Sequence, residues 1–314
     1  MNIEYKKDEE QAAGEQQMYP ASGNERSEQI IQDYHISDPD HKGDPQKNTV
    51  ACAPIGIFDS GAGGLTILSD LRRELPYEHF IYFGDTANCP YGVRSEEEII
   101  EFSLRACRFL VDQGVKLLVI ACNTASQAAL SALRAAYDLP IVGVVPAVKP
   151  AARITRNGRI GIAATNQAAQ SRYLQHLIEN FASDVQVYAA GCSELVLLVE
   201  HGKLAGPIVE ETLHDVLQPL TEKGVDVIVL GCTHFPALRP AIEKVVGKDV
   251  QVIDSGAAIA RRTHTILEAE RILHPEAEQE QGTINIWCSG DAQDFSRIAS
   301  AVLGYTVQAT HAPS

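Results

Sequence analysis

From Pro54 onward the chain alternates short apolar runs with stretches of helical period, and this alternation constrains its fold more than any other feature. Runs such as Lys116 to Ala121 and Val225 to Leu230 have the ~4–8-residue length of buried strands. Strands of that kind, separated by helices, mark βαβ units and a mainly parallel sheet. The spacing predicts strands from Ile55 to Phe58, Phe80 to Phe83, Leu117 to Ile120, Ile141 to Val144, Ile160 to Ala163, Val185 to Ala189, Val227 to Leu230 and Val252 to Ile253. A late strand is expected from Ile284 to Trp287, and the fold class is α/β.

The same runs fall short of the ~20 residues needed to cross a bilayer. The opening MNIEYKKDEE has no apolar stretch after a basic start, so no secretory signal is read there and a cytoplasmic protein is expected. A formal net charge of -15 repels phosphate backbones and anionic headgroups. Binding to nucleic acid or membrane driven by whole-chain basicity is therefore excluded. Residues 1 to about 50 carry too few large apolar side chains to offset the entropy of ordering them, which predicts a flexible acidic tail. Ser27 to Tyr34 is its one candidate helix, formed only against a partner. The seven cysteines are scattered without the close pairs of a disulfide framework or a zinc ribbon, so reduced thiols are the default.

Ser95 followed by Glu98 predicts a capping box that opens a helix with Ile99, Phe102, Ala106 and Phe109 on its apolar face, ended at Gly114. Cys107 near that face reads as a core thiol. Two segments echo each other: LLVIACNTAS from Leu117 and VIVLGCTHFP from Val227, each a strand, a small residue, a cysteine, a hydroxyl residue and a helix. A second echo pairs IFDSGAGG from Ile57 with VIDSGAA from Val252, and together they suggest two duplicated halves. In α/β sheets ligands sit beyond the carboxyl ends of the strands, where Cys122 and Cys232 both fall. A helix N-terminus there is expected to lower a thiol pKa. Two such thiols on facing halves supply what removal of a proton from one face of a carbon, and its return to the other, requires: one thiolate and one thiol.

The glycines of Asp59-Ser60-Gly61-Ala62-Gly63-Gly64 match neither the P-loop nor the dinucleotide fingerprint, and a carboxylate is their natural guest. Asp59 is placed to meet an ammonium group or to act as a base behind the site; a helix cap is the plain alternative. His234, two residues after Cys232, is placed to tune that thiol or to donate to a developing oxyanion. Glu200 is a candidate to accept a proton or to orient His234, against the plain reading of a solvated glutamate. The turn Asn88 to Gly92 offers backbone and phenol contacts to a carboxylate, and Thr165 caps a helix or binds a distal carboxylate.

These motifs resemble the glutamate racemases of the cofactor-independent aspartate/glutamate racemase superfamily. The matching pieces, in order, are FDSGAGGL from Phe58, YFGDTANCPYG from Tyr82, ACNTAS from Ala121, GVVPA from Gly143, LGCTHFP from Leu230, IDSG from Ile253 and SGD from Ser289. The resemblance implies Cys122 and Cys232 as catalytic, with Asp59, His234 and Glu200 assisting. It implies glutamate held by Asp59, Ser60, Tyr91, Gly92, Asn123, Thr124, Thr233 and His234, with Thr165 as a further contact. It implies no metal and no pyridoxal phosphate, and D-glutamate supply for peptidoglycan synthesis and cell shape. Two pseudo-symmetric α/β domains with mainly parallel sheets are expected, with the active site in the interdomain cleft. Residues 53–148 with 255–314 form the first, 149–254 the second, and 1–52 the tail; homodimers are usual in the family.

Two departures stand out. The family's Thr-x-x-Thr is Thr165 followed by Ala168, which removes one hydroxyl from the expected side-chain carboxylate contacts. The family's Cys-Pro-Leu-x-Val-Pro-Leu-x-Glu is CSELVLLVE from Cys192, which touches the approach of Glu200. Aspartate racemases tend to carry Glu where His234 stands, so glutamate is the expected substrate. Some family members use N-terminal extensions in regulation by a peptidoglycan precursor, and the tail is a candidate for that role.

Overall fold

The computed structural model describes residues 50–275 and 280–313. Ser27 to Tyr34 and nearly all of the tail lie outside the described residues. The chain runs β1 (Ile55–Asp59), α1 (Leu65–Glu74), β2 (Phe80–Gly84), α2 (Glu96–Asp112), β3 (Leu117–Ile120), α3 (Asn123–Ala136), β4 (Ile141–Gly143) and α4 (Val148–Ile154). It continues through β5 (Arg159–Ala164), α5 (Asn166–Ala169), α6 (Arg172–Phe181), β6 (Gln186–Gly191), α7 (Glu194–Glu200), α8 (Pro207–Thr221), β7 (Val227–Leu230), α9 (Arg239–Val246) and β8 (Gln251–Ile253). Then α10 (Gly256–Glu270), β9 (Ile284–Cys288), α11 (Ala292–Leu303) and β10 (Ala309–His311) close the chain.

Among the described residues ten strands form two sheets, ordered β10-β9-β2-β1-β3-β4 and β6-β5-β7-β8, with every pairing parallel. The α/β class with parallel sheets is therefore as expected. Parallel strands are covered on both faces, which is why β3 and β7 are unbroken apolar runs and β1 is apolar up to its last residue, Asp59, with every residue of the three buried. In the first sheet Ile55 and Ile57 pack under α1, α10 and α11, while Phe58 and Leu118 face α2 and α3. The capping box stands: Ser95 Oγ accepts from Glu98 N at 3.2 Å and Ser95 N donates to Glu98 Oε2 at 2.9 Å. Cys107 is fully buried in the core, and Gly114 takes the positive φ (75°) that a helix end favours.

The two sheets share a topology. The order β2-β1-β3-β4 is repeated as β6-β5-β7-β8, and the two cysteines follow the corresponding strands β3 and β7. The first sequence echo thus marks equivalent positions. The second does not: Asp59 ends the first strand of its unit, whereas Asp254 follows β8, the fourth. The short edge strand β10 was not foreseen. Its three residues, half-buried Ala309 and exposed Thr310 and His311, give no apolar run to detect.

Candidate active site

In each sheet the chain order reverses between two adjacent central strands, β1 and β3 in one, β5 and β7 in the other. Such switch points open a crevice beyond the carboxyl ends of the strands. Ser60 follows β1, Cys122 follows β3, Thr165 follows β5 and Cys232 follows β7, and all four line one solvent-open cleft of about 330 Å³.

Cys122 caps α3, its sulfur accepting from Ala125 N at 3.5 Å, while its S–H points to Ser60 Oγ at 3.5 Å. The expected lowering of its pKa does not occur. Burial, joined by the nearby Asp59 carboxylate, outweighs the two hydrogen bonds and pushes the thiol up to about 12. Cys232 differs from expectation too: a turn and a short 3₁₀ helix (Phe235–Leu238) follow it, not an α-helix N-terminus. Its partner is a side chain, His234, whose Nδ1 lies 3.6 Å from the sulfur.

The other ring nitrogen of His234, Nε2, lies 2.5 Å from Glu200 Oε1. Glu200 also accepts from Ala62 N at 2.8 Å, so it ties the turn after β1 to the end of α7 despite the altered CSELVLLVE stretch. Burial by itself disfavours the His234 imidazolium, but Cys232 and Glu200 overcome it and hold the pKa well above the usual value. Burial likewise works to raise Glu200, yet the hydrogen bond and charge of His234 prevail and keep it below the usual carboxylate value. The two shifts agree in describing a charged pair.

Asp59 is fully buried and accepts from Gly61 N at 2.8 Å and from Thr233 Oγ1 at 3.1 Å. Burial pushes its pKa up against the lowering effect of His234. The helix-cap reading fails, since α1 begins after Gly64 with no side-chain cap. Asp59 and Glu200 sit behind the cleft wall, while Ser60, Tyr91, Gly92, Cys122, Asn123, Thr124, Thr165, Thr233, Cys232 and His234 form it. Asn123 Oδ1 is buried with no hydrogen-bond partner, an open acceptor at the cleft.

The Tyr91 phenol does not reach out as expected: its O–H donates to Asp85 Oδ2 at 2.7 Å. Tyr91 therefore offers the cleft its ring and backbone. Thr165 caps α5 through Ala168 N (3.3 Å), as expected, and lines the cleft beside Gly92. Pro90, within the expected turn, also lines it, as do Val196 and Gly231, which were missed. Val196 carried a readable signal, because Leu195, Val196 and Val199 form the buried face of a short helix that ends at Glu200. No metal-ligand spacing exists in the sequence, yet Cys89, Glu200 and His234 bring donor atoms within 4.8 Å of one another.

Residues 65–263 match the model of the Asp/Glu/Hydantoin racemase family. A glutamate racemase from Herpetosiphon aurantiacus is 45% identical over 245 residues, 78% of this chain and 96% of that protein. One from Pseudomonas aeruginosa is 42% identical over 256 residues, 81% and 96% of the two chains. The crystal structure of Escherichia coli glutamate racemase in complex with L-glutamate and the activator UDP-MurNAc-ala superposes with a TM-score of 0.73 at 36% identity, covering 82% of this chain and 97% of that one.

Proposed function

The chain belongs to the Asp/Glu/Hydantoin racemase family, and from that membership we propose that it interconverts L- and D-glutamate by moving the α-proton between two cysteine sulfurs. The observation that carries this reading is the pair of sulfurs on corresponding strands of two like sheets, lining one cleft, with unlike partners. Cys122 is held as a thiol, a proton source. Cys232 has His234 beside it, and behind that the Glu200 carboxylate. The enantiomer that presents its α-hydrogen to Cys232 loses it to that sulfur, while Cys122 delivers its proton to the opposite face. The other enantiomer reverses the roles.

Removing an α-proton builds negative charge on the α-carboxylate, which needs donors fixed in place. The hydroxyls of Ser60 and Thr124 supply them, while protonated His234, its two N–H groups turned to Cys232 and Glu200, adds positive charge nearby and Thr233 spends its hydroxyl on Asp59. Asn123 Oδ1, left without a partner, is the acceptor for the substrate ammonium, with Asp59 adding negative charge behind it. Thr165 and the backbone of Gly92 close the distal end and receive the side-chain carboxylate, with Ala168 reducing the hydroxyls there to one. By the same reading residues 53–148 with 255–314 and residues 149–254 are the two domains, and the enzyme acts in the cytoplasm, as a homodimer, to supply D-glutamate for peptidoglycan. No helix among the described residues is long and apolar enough to cross a membrane.

The test is incubation with L-glutamate in deuterated buffer without added cofactor, following optical rotation and the α-proton signal. Rotation decaying to zero as deuterium enters the α-carbon is the expected result. Exchange with aspartate alone would reject glutamate as substrate, and no exchange with either would reject the racemase reading.

A further inference from the structure

Behind His234, on the side away from Cys232, three donors of unlike chemistry converge. Cys89 comes from the turn after β2, Glu200 from the end of α7 and His234 from the turn after β7, with their ligating atoms within 4.8 Å of one another. Gly61 forms the remaining wall. A Cβ there would lie 2.1 Å from Glu200 Oε1 and 3.0 Å from Cys89 Sγ, so both side chains close on the space its missing side chain leaves. His234 faces this group with Nε2 and keeps Nδ1 for Cys232.

We propose that Cys89, Glu200 and His234 form an inhibitory site for a thiophilic divalent cation, best matched by Zn2+, that takes the place of the proton between His234 and Glu200. Thiolate, imidazole and carboxylate are the donor set of zinc, at ~2.0–2.3 Å with tetrahedral geometry, which spaces donors about 3.4 Å apart. The 2.5 Å His234–Glu200 contact opens by about 1 Å to reach that spacing, a movement the end of a glutamate side chain can make. Water fills the fourth position. Binding releases two protons to solvent, from the Cys89 thiol and from His234 Nε2, and no electron moves. Mg2+ and Ca2+ prefer all-oxygen ligands and do not fit this set. A metal on Nε2 prevents His234 from becoming an imidazolium, so it stops proton transfer at Cys232 without entering the substrate cleft.

Metal binding stands apart from the racemase reading; only the inhibition rests on it. The test uses the full chain titrated with Zn2+ by calorimetry and with Co2+ by absorption, each beside a Cys89→Ala variant. Expected is one Zn2+ per chain, a thiolate-to-Co2+ charge-transfer band, and racemisation suppressed by Zn2+ and restored by a chelator. Cys89→Ala loses the band and binds Zn2+ weaker by on the order of tenfold or more. An unchanged affinity and band in Cys89→Ala would place the metal on Cys122 or Cys232 and overturn the site, as would no binding by the unaltered chain. Equal inhibition of both proteins would overturn the inhibitory role, and absence of racemisation without metal would reject the racemase reading while leaving the binding data to judge the site.

Discussion

Gly61→Ala separates the positioning of His234 from the stability of the fold. Gly61 is not among the glycines with positive φ, so alanine meets no backbone penalty there. Its Cβ would stand 2.1 Å from Glu200 Oε1, and an ordinary contact begins at 3.4 Å, so the carboxylate has to retreat by about 1.3 Å. After that shift Glu200 cannot keep both its 2.5 Å contact with His234 and its 2.8 Å bond from Ala62 N. Hydrogen bonds to a charged group contribute about 1.5–3 kcal/mol. If that contribution supports the transition state through His234, kcat/KM falls roughly 10- to 100-fold. Unfolding free energy drops by only about 1–2 kcal/mol, because the displaced carboxylate is part-buried and regains water. The assay is polarimetric racemisation in both directions with urea unfolding alongside. Enantiomers have equal free energies, so the fall in kcat/KM has to be the same in both directions whichever face is damaged, while kcat values are free to diverge. A Gly61→Ala enzyme within twofold of the parent would refute the role given to the Glu200–His234 contact.

Cys122→Ser and Cys232→Ser should each stop racemisation, checked by polarimetry, because the proposed turnover uses both sulfurs; deuterium wash-in without inversion is where the two variants are expected to differ. Glu200→Gln keeps the shape but removes the negative charge that favours the His234 imidazolium, so the ring loses its proton at lower pH and the alkaline limb of the rate profile moves down, as imidazole NMR titration would record. Asp226 accepts from Thr155 Oγ1 (2.5 Å), Arg156 N (2.6 Å) and Asn157 N (3.1 Å); burial works to raise its pKa, but these bonds prevail and lower it from 3.8. Its stabilisation is therefore present above pH 3.8 and lost as pH falls through the lower folded value, and Asp226→Asn should flatten that acid limb in pH-dependent melts. Lys116 Nζ lies 2.6 Å from Glu78 Oε2 with 0% and 2% side-chain exposure, so Lys116→Met should cost about 3–5 kcal/mol in urea unfolding, and Lys116→Met with Glu78→Gln less.

How much of this was legible in the sequence follows from which interactions are local. β3 and β7 are covered on both faces, so their residues must be apolar throughout, as must β1 up to Asp59 at its carboxyl end, and that requirement is written in the chain. Ser95 and Glu98 satisfy each other within one helical turn, and Cys122 and Cys232 each lie a fixed step beyond a strand end. The electrostatics were not legible in the same way. The helix N-terminus at Cys122 is a local feature and argues for a lowered pKa, but burial, joined by the Asp59 charge, is a property of the assembled sheets and reverses the sign. Tyr91 shows the same limit: its turn was visible, yet the acceptor that claims its phenol, Asp85, is shared with Ser289, a residue 204 positions away that only the return of β9 beside β2 brings near. The Glu200–His234 contact spans 34 residues and the Ala62–Glu200 bond 138. A site assembled at the meeting of two sheets therefore announces its candidate acid and base in the sequence, while the groups that set their protonation become visible only when the halves are brought together.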